Sequence, residues 1–161
     1  MSYNHIKGEK RHKVFKGIAT KGKNSMGWFF CLKLYLIINN EGELMACKMT
    51  SANVDNRFPV AKLMKKLQGW LFVDKGYLGR PIIKQLKKQV VDIFTKVRKN
   101  IKARIMTEIQ EFFLGKRGIV ETVIDQLKNC CQIEHSRHRS PTNAFVNIIS
   151  GLIDSSHANQ Q

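Results

Sequence analysis

Gly69-Trp70-Leu71-Phe72-Val73-Asp74-Lys75-Gly76-Tyr77 is the stretch on which the fold turns. Trp70 to Val73 are all apolar and leave no polar face. A strand composed this way suits a sheet covered by helices on both sides. Asp74 ends the run, and a side chain at the carboxyl end of such a strand faces the crevice where α/β proteins bind ligands. The flanks agree. Upstream, Asn53–Leu67 places Val60, Leu63, Met64 and Leu67 on one helical face, stopped by Gly69. Downstream, Pro81–Gln89 predicts a short helix opened by proline, and Val90–Val97 a second strand. Helix, buried strand, helix, strand describes an α/β protein with helices flanking a sheet.

Farther out, Trp28–Asn39 reads as a strand from its aromatic and β-branched content. Asn39–Glu43 supplies turn residues and Leu44–Thr50 resumes an apolar strand, so the two predict a hairpin. The hairpin and Val90–Val97 do not readily flank Trp70–Val73 on both sides, and residues 1–27 contain no convincing strand. One sheet element is therefore missing from the expected set. Beyond the basic loop Arg98–Arg104, helical spacing runs through Ile105, Ile109, Phe112 and Phe113. It resumes at Ile119, Val120, Val123, Ile124 and Leu127, with Gly115 and Gly118 marking a break. Ser140-Pro141 predicts an N-cap and the opening of a last helix carrying Phe145, Ile148, Ile149 and Leu152. The expected organisation is a basic entry segment over 1–27, a catalytic-sized domain over 28–153 and a polar tail over 154–161. Trp28 and Trp70 are expected in the core.

The 161 residues carry 28 Lys+Arg against 12 Asp+Glu, a net charge of +16 with a pI near 10. A hydrophobic content of 43% excludes a disordered basic tail, which lacks the apolar residues to offset ordering entropy. The charge points to a polyanion, either nucleic acid or an anionic membrane surface. No apolar run is long enough to span a bilayer, and Met1–Val14 has no apolar core of a secretory signal. Cys31, Cys47, Cys130 and Cys131 form no CxxC pair, which argues against a zinc ribbon or disulfide scaffold. Reduced thiols in the cytoplasm are the expectation.

Two carboxylates are candidates for chemistry. Asp74 is well placed to hold a metal ion, although an aspartate opening Asp74-Lys75-Gly76-Tyr77 is also an ordinary turn residue. On a helical wheel with Arg117 at zero, Lys128 falls at about 20° and Glu121 at about 40°, beside an apolar arc from about 200° to 340°. A carboxylate flanked by cations can hold a divalent ion while its neighbours grip phosphates. The same stripe also serves as a solvated, ion-paired helix face. His135-Ser136-Arg137-His138-Arg139 has no acid or thiol at zinc spacing and reads as a basic, DNA-facing segment.

Taken in order, these stretches resemble the catalytic domain of a DDE transposase from a prokaryotic insertion sequence. The resemblance covers residues 12–153. It is carried by His12-Lys13-Val14-Phe15-Lys16-Gly17, Gly27-Trp28-Phe29, Thr50-Ser51-Ala52-Asn53-Val54-Asp55 and Asp74-Lys75-Gly76-Tyr77. It continues through Lys116-Arg117 to Glu121, 47 positions beyond Asp74, and through Gln132–Asn143. The family implies a ribonuclease-H-like mixed sheet flanked by helices. It also implies three carboxylates that hold two divalent ions, Mg²⁺ or Mn²⁺, for cleavage and transfer of DNA strands. Asp74 matches the second carboxylate and Glu121 the third. Arg117 and Lys128 match the cations of the family's Tyr–Arg–Glu–Lys signature, whose tyrosine is replaced by Leu114. With Lys75, Arg137, His138 and Arg139 they are the expected DNA-binding residues. The first carboxylate has no counterpart: it would precede the His12–Gly17 motif, where the only acid is Glu9 in a hydrophilic stretch. The resemblance thus predicts a fragment of a frameshifted or 5′-truncated gene, without its first strand and inactive alone. DNA, as terminal repeats and target, is the expected partner, with a homodimer on the DNA left open and no membrane association. The alternatives are a non-enzymatic DNA-binding remnant that occupies terminal repeats, and a ribonuclease-H-like nuclease.

Overall fold

The computed structural model describes residues 13–24, 27–88, 91–94, 108, 112, 115–116, 118–134 and 138–158. The chain divides into two compact units, one formed by Met1–Val54 with Val120–Gln161 and the other by Asp55–Ile119. The architecture is mixed α/β, as the ribonuclease-H-like resemblance requires.

In the first unit a 3-10 turn at Lys13–Phe15 leads into β1 (Thr20–Asn24), β2 (Gly27–Ile38) and β3 (Leu44–Ser51), an antiparallel sheet in that order. β1 pairs with the first part of β2, from Thr20 opposite Cys31 to Asn24 opposite Gly27. The remainder of β2 pairs with β3, from Leu32 opposite Ser51 to Ile38 opposite Leu44, with a bulge between Ile37 and Ile38. Phe29, Cys31 and Ala52 form a buried cluster. The hairpin matches the sequence expectation. β1 does not, because Thr-Lys-Gly-Lys-Asn has no apolar alternation. It becomes a strand through its partner: a Cβ on Gly22 would lie 2.7 Å from the Phe29 ring and 3.0 Å from Ala52, so glycine lets the ring lie against β1.

The same unit holds most of α3 (Gly118–Asn129) and all of α4 (Pro141–Ala158). α3 buries Val123 and Leu127, while Val120, expected on the apolar face, is 44% exposed. Ser140 caps α4 as expected, its Oγ accepting the Asn143 N–H at 3.2 Å. α4 buries Ala144, Ile148 and Leu152. The helix runs to Ala158, and within its last turns Ser155 is buried with its hydroxyl donating to Gln126 Oε1 on α3 at 3.4 Å.

The second unit contains α1 (Arg57–Leu63) followed by a 3-10 turn at Met64–Lys66, β4 (Gly69–Phe72), a 3-10 turn at Lys75–Tyr77, α2 (Arg80–Lys87) and β5 (Val91–Phe94). β4 and β5 are parallel, with Gly69 opposite Val91 and Phe72 opposite Phe94. Parallel neighbours need a crossover, and α2 provides it. α2 packs against α1 and β5. Among the described residues of this unit, Pro59, Val60, Met64, Leu71, Ile82, Leu86, Val91 and Phe94 are buried and apolar.

Both tryptophans depart from the expected core positions. Trp28 is 57% exposed, with Lys23 Nζ 5.6 Å from its ring centroid, an arrangement that keeps a wet indole face occupied. Trp70 is 47% exposed and meets Phe94 edge-on at 5.8 Å, so β4 buries Leu71 alone rather than both faces. Residues 95–97, the end of the second expected strand, lie outside the described residues. So do most of the positions from Ile105 to Leu114, the first half of the long helical pattern.

Candidate active site

The carboxyl end of β4 is fixed by the strand ladder and the turn that follows. Val73 N–H donates to the Phe94 carbonyl at 3.1 Å, which holds the chain against β5 just past the last strand pair. Asp74 follows as the second residue beyond β4. Its own carbonyl accepts the Tyr77 N–H at 3.0 Å, which closes the 3-10 turn, and its side chain is exposed. Asp74 thus stands just past the carboxyl end of β4, in the second unit.

Glu121 belongs to the first unit and stands in the first turn of α3, with its side chain exposed. A carboxylate there is favoured by the positive end of the helix dipole. Lys128, two turns on, has its Nζ 3.3 Å from Glu134 Oε1, and both side chains are 36% exposed. That oxygen has no aligned hydrogen bond, so the contact is a charge pair rather than a directed bond. Lys128 is thus drawn to Glu134, an acid in the loop after α3. His138 is half-buried and Arg139 exposed in the loop that enters α4. Arg117, Arg137 and Leu114 lie outside the described residues. Lys75 contributes its backbone to the 3-10 turn.

Carboxylate oxygens are the right donors for Mg²⁺ or Mn²⁺. Mg²⁺ is commonly held by one or two carboxylates, with water and substrate phosphate completing the shell. Asp74 and Glu121, both exposed, each fit as one such donor. Among the described residues no three His, Cys, Asp or Glu side chains gather into a metal-binding cluster, so no all-protein cage is present there. The described residues also include no helix long and apolar enough to cross a membrane.

Other titratable groups belong to the scaffold. Arg57 is bound by Asp55, which accepts from its guanidinium and from its backbone N–H at 2.9 Å and holds its pKa above the ordinary value. Burial pushes the Cys131 thiol up, helped by the negative charge of Asp154 and by Cys130. One group of cations stands outside the family's motifs. Arg80, Lys84, Lys87 and Lys88 share the outer face of α2, and their i, i+4, i+7, i+8 spacing is the signal that finds them.

The family model described as Transposase DDE domain matches residues 1–141. No curated protein and no solved structure matches the chain. The matched span includes the strand-end Asp74, the turn behind it and Glu121 on α3, and it covers most of the chain. On that span the chain belongs to the transposase DDE domain family, whose work is DNA transposition and whose substrate is DNA.

Proposed function

We propose that Asp74 and Glu121 are carboxylate ligands of divalent ions, Mg²⁺ or Mn²⁺, in an insertion-sequence centre for DNA strand cleavage and transfer. The observation that supports this most is Asp74 itself: it is exposed and stands two residues past the end of the β4–β5 ladder. When bound, the metal would supply Lewis acidity and an activated water. The protein's share is positioning and charge neutralisation. In this reading Asp74 and Glu121 bind, and Lys75, Arg117, Lys128, Arg137, His138 and Arg139 hold DNA phosphates. Lys128 would exchange its partner Glu134 for phosphate. The setting is the bacterial cytoplasm, on the nucleoid when bound, with two copies on one DNA, a number that sedimentation counts.

The 161 residues alone are proposed to bind terminal repeats without cutting them. The family resemblance calls for three carboxylates, and this chain matches two. A labelled terminal-repeat duplex incubated with the chain and Mn²⁺ should be retained and remain unnicked. Robust nicking abolished by Asp74→Asn would overturn the inactivity and support the ligand assignment. Cutting of a structured or hybrid substrate regardless of sequence would favour a ribonuclease-H-like nuclease instead. Mn²⁺ binding measured by calorimetry should weaken on Asp74→Asn; unchanged binding would remove Asp74 from the metal site.

A further inference from the structure

Between Asp74 and Asp92 the chain has five cations, Lys75, Arg80, Lys84, Lys87 and Lys88, and no acid. Four of them belong to α2 or its C-cap, and all four are exposed. With Arg80 at zero on a helical wheel, Lys84 lies at about 40°, Lys87 at about 340° and Lys88 at about 80°. The buried Ile82 and Leu86 fall at about 200° and 240°, on the opposite side. α2 therefore anchors one face in its unit and turns an unbroken cationic face outward. No ion pair joins these four cations to a described residue.

The arrangement works against the helix that carries it. Arg80 and Lys84, and Lys84 and Lys88, are like charges at i, i+4, which destabilise a helix. Arg80 also stands in the first turn, where a cation opposes the helix dipole and no acid offsets it. Nearby, Arg57 Cδ lies 3.3 Å from where a Cβ on Gly79 would be, so a further guanidinium stem passes the entry to α2. That cation is matched by Asp55, whereas those on α2 have no such partner among the described residues.

A polyanion of suitable pitch relieves this repulsion. From Arg80 to Lys87 the helix rises about 10 Å, at about 1.5 Å per residue. One strand of duplex DNA presents about three phosphates over that length, at about one per 3.4 Å of axis. We infer that the outer face of α2, formed by Arg80, Lys84, Lys87 and Lys88, is a sequence-independent binding surface for the phosphate backbone of one strand of duplex DNA, beginning six residues after Asp74. The inference rests on DNA being the substrate, not on Asp74 or Glu121 binding metal.

The test is the salt dependence of binding to a duplex of arbitrary sequence, followed by fluorescence anisotropy of the full chain. The triple variant Arg80→Gln, Lys84→Gln, Lys87→Gln should lower the slope of log K against log salt by about 2 to 3, at roughly 0.9 for each phosphate no longer neutralised. A control triple, Lys62→Gln, Lys65→Gln, Lys66→Gln, removes the same charge from the same unit and should change the slope by less than about 1. Lys84→Arg should retain the wild-type slope where Lys84→Gln lowers it. Equal slopes for the two triples would overturn the α2 assignment while leaving DNA as substrate intact. A wild-type chain that binds no duplex at any salt would overturn both. Loss of binding to phosphatidylserine vesicles by the α2 triple, with an unchanged DNA slope, would overturn the assignment in favour of a membrane surface.

Discussion

A Cβ on Gly151 would come within 2.6 Å of Ile133 Cγ2 and 2.9 Å of Cys131 Cβ, so α4 reaches the loop after α3 only because this residue has no side chain. Gly151→Ala should destabilise the fold by about 1–3 kcal/mol through overpacking, read as a lower urea midpoint with an unchanged slope. Leu127 is fully buried on α3, and Leu127→Ala should cost about 2–5 kcal/mol in the same assay. Cys131 lies at the Gly151 contact. Its thiol pKa is raised by burial, Asp154 and Cys130, so its share of stability is intact below the ordinary thiol range and disappears as pH rises through the raised value. Alkylation followed by mass spectrometry at mildly alkaline pH should therefore label exposed Cys47 faster than Cys131. Asp74 was legible at this scale as the acid that ends an apolar run, and it lies two residues past β4. Trp28 and Trp70 were not, since hydrophobicity does not tell whether the fold covers an indole or leaves it half in water.

At the scale of elements, the β2–β3 hairpin owes its clear sequence signal to strand alternation joined by a side-chain-braced turn. Asn39 Oδ1 accepts the N–H groups of Glu41 at 3.0 Å and Glu43 at 2.9 Å, while its Nδ2 donates to Glu43 Oε2 at 2.6 Å. Asn39→Ala removes all three bonds and should cost roughly 1–2 kcal/mol in a thermal melt. β1 has no such signal. Its five residues carry no apolar pattern, and it exists because β2 offers a ladder and Gly22 admits the Phe29 ring. Pairing of that kind depends on residues elsewhere in the chain and cannot be read from the strand alone. α3 shows the same limit from the other side: helical spacing located Glu121 and Lys128 on one stripe, but Glu134, from the following loop, decided where Lys128 points.

For the whole molecule, the net charge of +16 and a DNA substrate together set how binding responds to salt. Neutralising about six phosphates would lower affinity for an arbitrary duplex roughly a thousandfold between about 50 and 200 mM salt. Affinity that stays flat over that range would make the charge a solvated surface. The candidate site was legible only as an order of motifs along the chain, because Asp74 and Glu121 come from different units. The division into units also bears on synthesis. The first unit is built from both ends of the chain, and the second lies wholly within the interruption. A chain emerging from the ribosome in order completes β4, α2 and β5 while the three-stranded sheet still waits for α3 and α4. Nascent chains arrested once residue 119 has left the ribosome should thus protect 55–94 from protease before 13–54. Most of the closure entropy of the first unit then falls at the end of translation, so its hairpin is the part that depends longest on chaperones.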